Sequence, residues 1–429
     1  MMLKALLVSC LLAVTLMSGC SSNDPALQTV ALDRTFNPSL GYTLFSAGSG
    51  FSSRGVEVAL QSDGKIIVMG STVSGQDDDL LLVRYTKEGL LDTSFGTNGY
   101  LRYGDYDRDR GLGLAILPGD DAIIVTGYST IGGSRELLVV KFSANGTFVK
   151  DLLYSDLGTD IGFGIALTPD RKIVIIGESS SSQAKKQDLL LLRLDFDLQF
   201  DPDFARFGAF HYDGPANESE KGFAVAVQPD GKLVAGGAAV TSNSKEDMLV
   251  IRVNQNGTLD SSFGTNGSFH WSSPGDYADY ANNLALQADG KIVVTGAAGT
   301  ATGFQITTMQ LLSSGQFDNR FGQNGMVSYT GLTGNDAYPY GVLVQQGGRI
   351  VVAGSSMNRV GNKDAVLLGF TPDGQPDPAF GGAGLLVFEG AGGTTDVANG
   401  LALQPDQSVL VTGYSSNGQS DSVLTYRVK

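Results

Sequence analysis

Acidic side chains are the residues of this chain whose types and spacing best suit chemistry. Two clusters stand out: QDDDL contains Asp77, Asp78 and Asp79, and DYDRDRG contains Asp105, Asp107 and Asp109. Oxygen-rich loops suit a calcium ion. Against calcium, Arg110 stands where a D-x-D-x-D-G loop has glycine, and no glutamate stands at the twelfth position. We predict a solvated acidic rim, with these six residues as candidate binding loops and calcium as the only cofactor to consider.

The two histidines, His211 and His270, are the other candidates for a site. A metal site needs three or four converging ligands, and both cysteines lie within the first twenty residues, at Cys10 and Cys20. No metal site is therefore predicted around the histidines. Their runs, FHY and FHW, indicate solvated residues on a rim, with a contact surface as the alternative.

Catalytic motifs give little support for an enzyme. The chain contains no G-x-S-x-G, P-loop or H-E-x-x-H motif. Two carboxylates suffice for glycoside hydrolysis, and the chain has 44 acidic residues. A carbohydrate-active hydrolase or lyase with acidic residues in a central depression is therefore the alternative function. The net charge of −15 argues against a nucleic-acid partner, because phosphate binding depends on Lys and Arg.

These candidates lie within a repeated sequence. LDTSFGTNG at 91–99 recurs as LDSSFGTNG at 259–267, with looser copies elsewhere. A second signature, two apolar runs joined by a DGK-like turn and closed by glycine, occurs seven times. The closing glycines are Gly70, Gly127, Gly177, Gly237, Gly296, Gly354 and Gly413. Their spacing, a little under sixty residues, is typical of a repeat array.

Each repeat contains four strand signals. A hairpin joins the first two, a polar loop precedes the third, and LDxSFGxNG leads into the fourth. Seven such units predict an all-β, seven-bladed β-propeller of four-stranded antiparallel blades over residues 32–429. The seventh copy stops after its third strand at Lys429, whereas LDRTFNPSLGYTLF at 32–45 supplies a turn and a fourth strand. We therefore expect the N-terminal strand to close the last blade.

The repeats also separate packing from function, because a feature of every copy serves the blade and a specific site breaks the symmetry. Trp271 occupies a position that is aromatic in all seven copies, which predicts packing. Acids such as Asp79, with bases such as Arg84 five residues later, predict ion pairs between strands or blades. Small residues on one side of each first strand, such as Gly111, Gly113 and Ala115, predict that small faces pack against bulky ones.

The first twenty residues predict export. MMLK is a short basic start, ALLVSCLLAVTL is an apolar run, and MSGC places small residues before Cys20. This pattern resembles a bacterial lipoprotein signal. The resemblance implies a signal peptide over 1–19, lipid attachment at Cys20, a tether over 20–31, and a location in the cell envelope at the outer membrane. The alternative is an ordinary signal peptide.

The period near sixty, with the LDxSFGxNG and ALQxDGKIVVxG signatures, resembles the delta-60 repeat family of bacterial secreted β-propellers over residues 32–429. That resemblance implies a fold and an exported location, and it assigns no catalytic residue. We favour a monomeric, lipid-anchored binding or scaffold module over an enzyme. Its predicted partner is an envelope protein or an extracellular polymer such as a polysaccharide, bound by loops that do not repeat.

Overall fold

The computed structural model describes residues 32–429, except 76, 105–106, 157, 181–185, 215, 217, 242–244, 335 and 391–393. Within these residues the chain forms 28 β-strands in seven four-stranded antiparallel sheets. The first strands of all seven sheets line one central channel. The fold is a seven-bladed β-propeller, so the predicted fold class is confirmed. The described residues contain no apolar helix of a length that would span a lipid bilayer.

In blades 1 to 6 the four strands follow chain order, with the innermost strand first. Blades 1 and 2 contain β2 (Ser52–Leu60), β3 (Ile66–Ser74), β4 (Asp77–Tyr85), β5 (Tyr100–Tyr103), β6 (Arg108–Ile116), β7 (Ile123–Ile131), β8 (Ser134–Phe142) and β9 (Phe148–Tyr154). Blades 3 and 4 contain β10 (Asp160–Leu167), β11 (Lys172–Ser179), β12 (Asp188–Asp195), β13 (Ala209–Tyr212), β14 (Glu220–Val227), β15 (Leu233–Val240), β16 (Glu246–Val253) and β17 (Ser268–Trp271). Blades 5 and 6 contain β18 (Asp279–Leu286), β19 (Ile292–Thr300), β20 (Gly303–Leu311), β21 (Met326–Tyr329), β22 (Ala337–Val344), β23 (Ile350–Met357), β24 (Lys363–Phe370) and β25 (Leu385–Phe388).

Blade 7 is built from both ends of the described chain. It contains β26 (Asp396–Leu403), β27 (Val409–Ser416) and β28 (Asp421–Val428), and β1 (Tyr42–Phe45) is its outer strand. Strand β1 pairs with β28 over four residues, from Tyr42 opposite Tyr426 to Phe45 opposite Val423. The predicted closure of the last blade by the N-terminal strand is therefore confirmed, and the ring has no unpaired edge at this blade.

The LDxSFGxNG turn holds each blade to the next. In blade 1, Asp92 accepts hydrogen bonds from the Ser94 amide and from Nε of Arg84, at 3.1 and 2.9 Å. The Arg84 guanidinium lies 4.8 Å from the centre of the fully buried Phe95 ring. Arg84 also donates to the Ala144 carbonyl of blade 2, at 2.8 Å. We call this arrangement of arginine, aspartate and phenylalanine the clasp.

The clasp recurs around the ring. It is formed by Arg193, Asp201 and Phe204; by Arg252, Asp260 and Phe263; and by Arg427, Asp33 and Phe36. The third-strand bases of the clasps thus form ion pairs with the turn aspartates and not with the third-strand acids. Among those acids Asp79 forms an ion pair, whereas Asp247 and Asp364 accept hydrogen bonds from Thr241 and Asn358. Arg84 pairs with Asp92 at one end of the blade, whereas Asp79 pairs with Arg102 at the other. The five-residue spacing places the acid and the base at opposite ends of the same strand.

A β-bulge in each first strand explains the closing glycines. In blade 2 the register shifts between Gly111 and Gly113, which leaves Leu112 unpaired and lining the channel. The closing glycine lies directly across from this bulge. A Cβ atom at Gly127 would lie 1.7 Å from the carbonyl oxygen of Arg110, so no larger residue fits.

The bulge also overturns the predicted division into one small and one bulky side. A Cβ at Gly111 would meet Leu80 and Met69 of the preceding blade. A Cβ at Gly113 would instead lie 3.1 Å from the Phe163 carbonyl oxygen of the following blade. The extra residue reverses the alternation, so the small residues before and after the bulge face opposite neighbours.

Candidate ligand-binding face

The two faces of the propeller differ in how strictly they repeat. One face carries the hairpins between first and second strands and the LDxSFGxNG turns, so the clasps lie there. We call it the repeating face. The opposite face carries the loops between second and third strands and the loops between blades. We call it the variable face, because equivalent positions there differ in chemistry from blade to blade.

Strand register identifies these variable positions. In each blade, one residue of the first strand lies opposite the closing glycine of the second strand, and the first variable position is the residue just before it. In blades 1 to 7 this position holds Arg54, Arg110, Ile161, Lys221, Tyr280, Tyr338 and Val397. Another lies near the start of the third strand: Asp78, Arg135, Gln187, Glu246, Phe304, Lys363 and Asp421. These residues lie at the end of each blade that belongs to the variable face. Taken together, the two positions hold a different pair of residues in every blade, so a repeating scaffold presents a surface that does not repeat.

An aromatic row crosses the variable face from the channel to blade 6. Its five rings are those of Phe163, Phe223, Tyr280, Phe304 and Tyr338. Ring centres lie 5.5 Å apart between the first two, 6.4 Å between the second and third, 6.1 Å between the third and fourth, and 5.2 Å between the last two. All five rings are half-buried, so part of each remains accessible.

Charged groups border the aromatic row. The Tyr280 hydroxyl donates to Glu246 at 2.6 Å, and Lys221 forms an ion pair with the same carboxylate at 3.1 Å. Burial and the adjacent Glu246 raise the pKa of Tyr280, so the hydroxyl keeps its proton and remains a donor. At the other end, Nζ of Lys363 lies 4.7 Å from the centre of the Tyr338 ring. The row thus combines apolar ring surface with polar groups that could fix the orientation of a ligand.

The channel itself has a volume of about 410 Å³. Among the described residues that line it, the one carboxyl group belongs to Glu57, which occupies a position held by glycine or alanine in most blades. Burial raises the pKa of Glu57 to about 8, against a smaller opposing effect of the Val58 amide. The side chain is therefore largely protonated at neutral pH. Asn399 and Asn283 instead join first strands, each donating to a carbonyl of the next blade, at Gly55 and Tyr340.

The acidic residues chosen from sequence do not come together as one site. Asp78 and Asp79 lie in β4 rather than in a loop, and they form ion pairs with Arg110 and Arg102. Asp109 lies in β6, is buried, and accepts a hydrogen bond from Ser129. Asp107 is exposed in the preceding loop. Arg110, Arg102 and Ser129 thus each contact one of these acids, although Oδ1 of Asp78 has no hydrogen-bond partner among the described residues.

Other predicted residues fall outside the part of the chain that the structure describes. These are Cys20, Asp105 and the side chain of Asp77.

His211 and His270 are both exposed, in the fourth strands β13 and β17. Nε2 of His211 lies 3.4 Å from the Tyr154 hydroxyl. Trp271 packs against the buried cluster that contains Met248 and Phe263.

Sequence reasoning missed the aromatic row and Glu57. Both could have been found by comparing the repeats around the closing glycine, since Glu57 stands where Gly113 and Gly164 stand in the next two blades. The bulge hid this comparison, because simple alternation assigns these residues to the wrong side of the strand.

Comparison with known proteins gives the class of the chain. Six segments, 61–95, 119–148, 168–204, 228–263, 287–321 and 345–380, match a family described as "Domain of unknown function (DUF5122) beta-propeller". This chain is a β-propeller repeat protein. No curated protein matches its sequence.

Solved structures share the fold of this propeller. A protein of unknown function from Dyadobacter fermentans aligns with a TM-score of 0.50 and 12% identity, covering 90% of this chain and 97% of that one. The polysaccharide lyase Uly1 aligns with a TM-score of 0.51 and 8% identity, covering 87% of this chain and 90% of that one. At such identities the resemblance is one of architecture alone.

Proposed function

We propose that this propeller is an exported, lipid-anchored module that binds an extracellular polysaccharide through its variable face. The aromatic row carries the proposal. Its five contiguous rings offer accessible apolar surface, onto which the C–H faces of successive sugar rings can pack. Glu246 and Lys363 at its border supply an acceptor and a donor for sugar hydroxyls.

The contrast between the two faces supports this choice. Clasps of one design hold the blades together on the repeating face, and their recurrence is explained by packing. The aromatic row lies across blades 3 to 6 only, and no equivalent row joins blades 1, 2 and 7 in the described residues. Those blades carry ion pairs instead, such as Arg54 with Asp421 and Arg110 with Asp78.

The proposed anchor is the lipidated Cys20, on the sequence grounds given above. With the lipid at the N-terminus, residues 21–31 would connect the membrane to the outer strand of blade 7. An envelope protein as the partner is the competing version of a binding function.

A carbohydrate-active hydrolase or lyase remains the second candidate, and Glu57 is the observation in its favour. A carboxyl group with a pKa of about 8 can donate a proton at neutral pH. However, a hydrolase of the two-carboxylate kind needs a second acid, and Glu57 has no carboxylate companion among the described lining residues. Binding is therefore the better supported function.

The proposal is tested by measuring affinity for polysaccharides extracted from the surface of the producing cells. Replacing Phe304 or Tyr338 with alanine is expected to weaken binding about tenfold, as loss of an aromatic contact of about 1.4 kcal/mol implies. Phe207 is the matched control, since it is a 77% exposed aromatic residue on the repeating face. Phe207→Ala is expected to leave affinity unchanged.

Two results would contradict the proposal. One is polysaccharide binding that survives both substitutions in the aromatic row. The other combines two findings: no polysaccharide binds, and crosslinking in intact cells captures a single envelope protein. That capture would have to occur with the wild-type chain and not with the Cys20→Ser variant. Turnover of the polysaccharide, lost in Glu57→Gln, would instead establish the second candidate.

A further inference from the structure

Three carboxylates meet where blade 3 adjoins blade 4. Asp188 begins the third strand of blade 3, Asp213 follows its fourth strand, and Glu220 begins the first strand of blade 4. One oxygen of each lies within 4.8 Å of the others. The three residues are separated in sequence, so the register of β12 with β13 and the packing of the two blades bring them together. This group is called the junction cluster.

The junction cluster breaks the symmetry of the ring. At the junction of blades 1 and 2 the equivalent positions hold Asp79, Gly104 and Asp109, and arginine and serine satisfy the acids there. The junction of blades 6 and 7 is also acidic at all three positions. Each of the remaining junctions has at least one non-acidic residue there. Among the described residues, the junction cluster is the group of acids that converges closely enough to share an ion.

Glu220 is the observation that points to a ligand. Its side chain is 1% exposed, and its Oε2 atom has no hydrogen-bond partner among the described residues. The other oxygen, Oε1, lies on the side of Gly214. In blade 2 a serine across the sheet, Ser129, donates to the equivalent acid, but Ala239 stands opposite Glu220. A buried carboxylate oxygen without a donor is costly unless a cation satisfies it.

The charges around the junction cluster leave it electronegative. The basic neighbours are Lys186, which forms an ion pair with Glu218 at 3.6 Å and lowers the pKa of Glu220, and His211, which lowers the pKa of Asp188. Burial, together with Asp213 and Asp188, raises the pKa of Glu220 to about 7. Asp213 and Asp188 thus oppose the ionisation of Glu220, and a bound cation would offset that repulsion.

We propose that the junction cluster binds a calcium ion. All three side chains offer oxygen, which hard divalent cations prefer over nitrogen and sulfur ligands. Carboxylates can bind calcium through one or both oxygens, and the exposed Asp213 leaves room for water to complete six to eight ligands. The ion would join two blades beside the aromatic row, so it would stabilise the part of the ring that bears the proposed binding surface.

Calcium binding is tested by calorimetric titration of the full-length protein with CaCl₂ after EDTA treatment and dialysis. We expect one site with a Kd of about 0.1–1 mM, the range of extracellular calcium modules. Calcium at 10 mM should raise Tm by about 2–4 °C. Glu220→Gln and Asp213→Asn should each weaken binding at least tenfold, and Asp213, being exposed, is the variant least able to disturb folding.

Asp396→Asn is the matched control. Asp396 is the buried first-strand acid of the junction between blades 6 and 7, and like Glu220 it has one carboxylate oxygen without a hydrogen-bond partner among the described residues. The described acids at that junction do not converge on one point, and Asp364 there accepts a hydrogen bond from Asn358 at 2.8 Å. This variant should keep the calcium affinity of the wild type. The proposal is overturned by the absence of both binding heat and a Tm shift in the wild type. It is equally overturned by a response that Glu220→Gln and Asp213→Asn leave intact.

Discussion

At the scale of single residues, the clasp arginines are expected to stabilise the fold. Arg84 is 2% exposed, and its guanidinium bonds to Asp92 while covering the Phe95 ring. Arg84→Met would keep much of the apolar contact but leave Asp92 without its main partner. We expect a loss of about 3 kcal/mol, as for other broken buried ion pairs. The urea midpoint, followed by the fluorescence of Trp271, measures it.

Arg320 provides the control for this substitution. It pairs with Asp318 at 3.0 Å, but its side chain is 78% exposed. Arg320→Met should leave the urea midpoint close to that of the wild type, because solvent screens an exposed ion pair. Equal effects of the two substitutions would show that the clasp is no stronger than a surface ion pair.

Glu57 predicts a dependence of stability on pH. Its pKa is about 8 in the folded chain, against an ordinary value of 4.5. Between these values the folded state retains a proton that the unfolded state releases, so stability falls as pH rises through this window. Glu57→Gln mimics the protonated form and removes this contribution. Allowing for water in the channel, the variant should be more stable than the wild type by about 2 kcal/mol at pH 8.

The measurement compares urea midpoints of the wild type and Glu57→Gln from pH 4.5 to pH 8.5, because contributions of other groups cancel in the difference. The two proteins should be closest in stability at the acidic end. Glu88, exposed in a turn of the repeating face, is the control. The stability difference between Glu57→Gln and the wild type should depend on pH, whereas the difference between Glu88→Gln and the wild type should not. If neither difference depends on pH, the buried, protonated state of Glu57 is disproved.

At the scale of the strand, the bulge and its glycine form one structural unit. Gly127→Ala would place a Cβ 1.7 Å from the Arg110 carbonyl oxygen, which belongs to backbone and cannot rotate away. We expect a loss of more than about 3 kcal/mol, or no folded protein. Gly132→Asn is the comparison, because Gly132 has open space around its Cβ position and a φ of +57° that asparagine tolerates. Similar Tm values for these variants would contradict the steric explanation.

The same scale shows how far sequence determines this structure. Runs of alternating or continuous apolar residues with turn signals were enough to predict the strands, because both signals are local. The bulge adds one residue without changing composition, so the facing of Gly113 could not be predicted from alternation. The junction cluster depends on register between strands and on contact between blades. Asp188 and Glu220 lie 32 positions apart, and no local pattern joins them.

At the scale of the whole molecule, the ring depends on a non-covalent closure. Residues 32–45 contribute strand β1, which pairs with β28, and the clasp of Asp33 and Phe36 with Arg427. Phe36 also packs against Gly89 of blade 1, so this segment connects the seventh blade to the first. Deleting 32–45 would expose the edge of β28, where Leu424 and Tyr426 are buried. We expect Tm to fall by about 10 °C or more, with association through the exposed edge.

A permuted chain distinguishes loss of the strand from loss of its position in the sequence. Tyr85 and Val428 are equivalent ends of third strands, and residues 86–90 lead from Tyr85 to the LDxSFGxNG turn at Leu91. A copy of residues 87–90, placed after Lys429 and followed by residues 32–45, would therefore give blade 7 the connection that the other blades have. This chain should recover the lost Tm, because the same contacts form within one continuous blade. An unchanged Tm after the deletion would show that the closure does not stabilise the ring. A permuted chain that fails to regain the Tm of the wild type would show that β1 does not act through its pairing with β28.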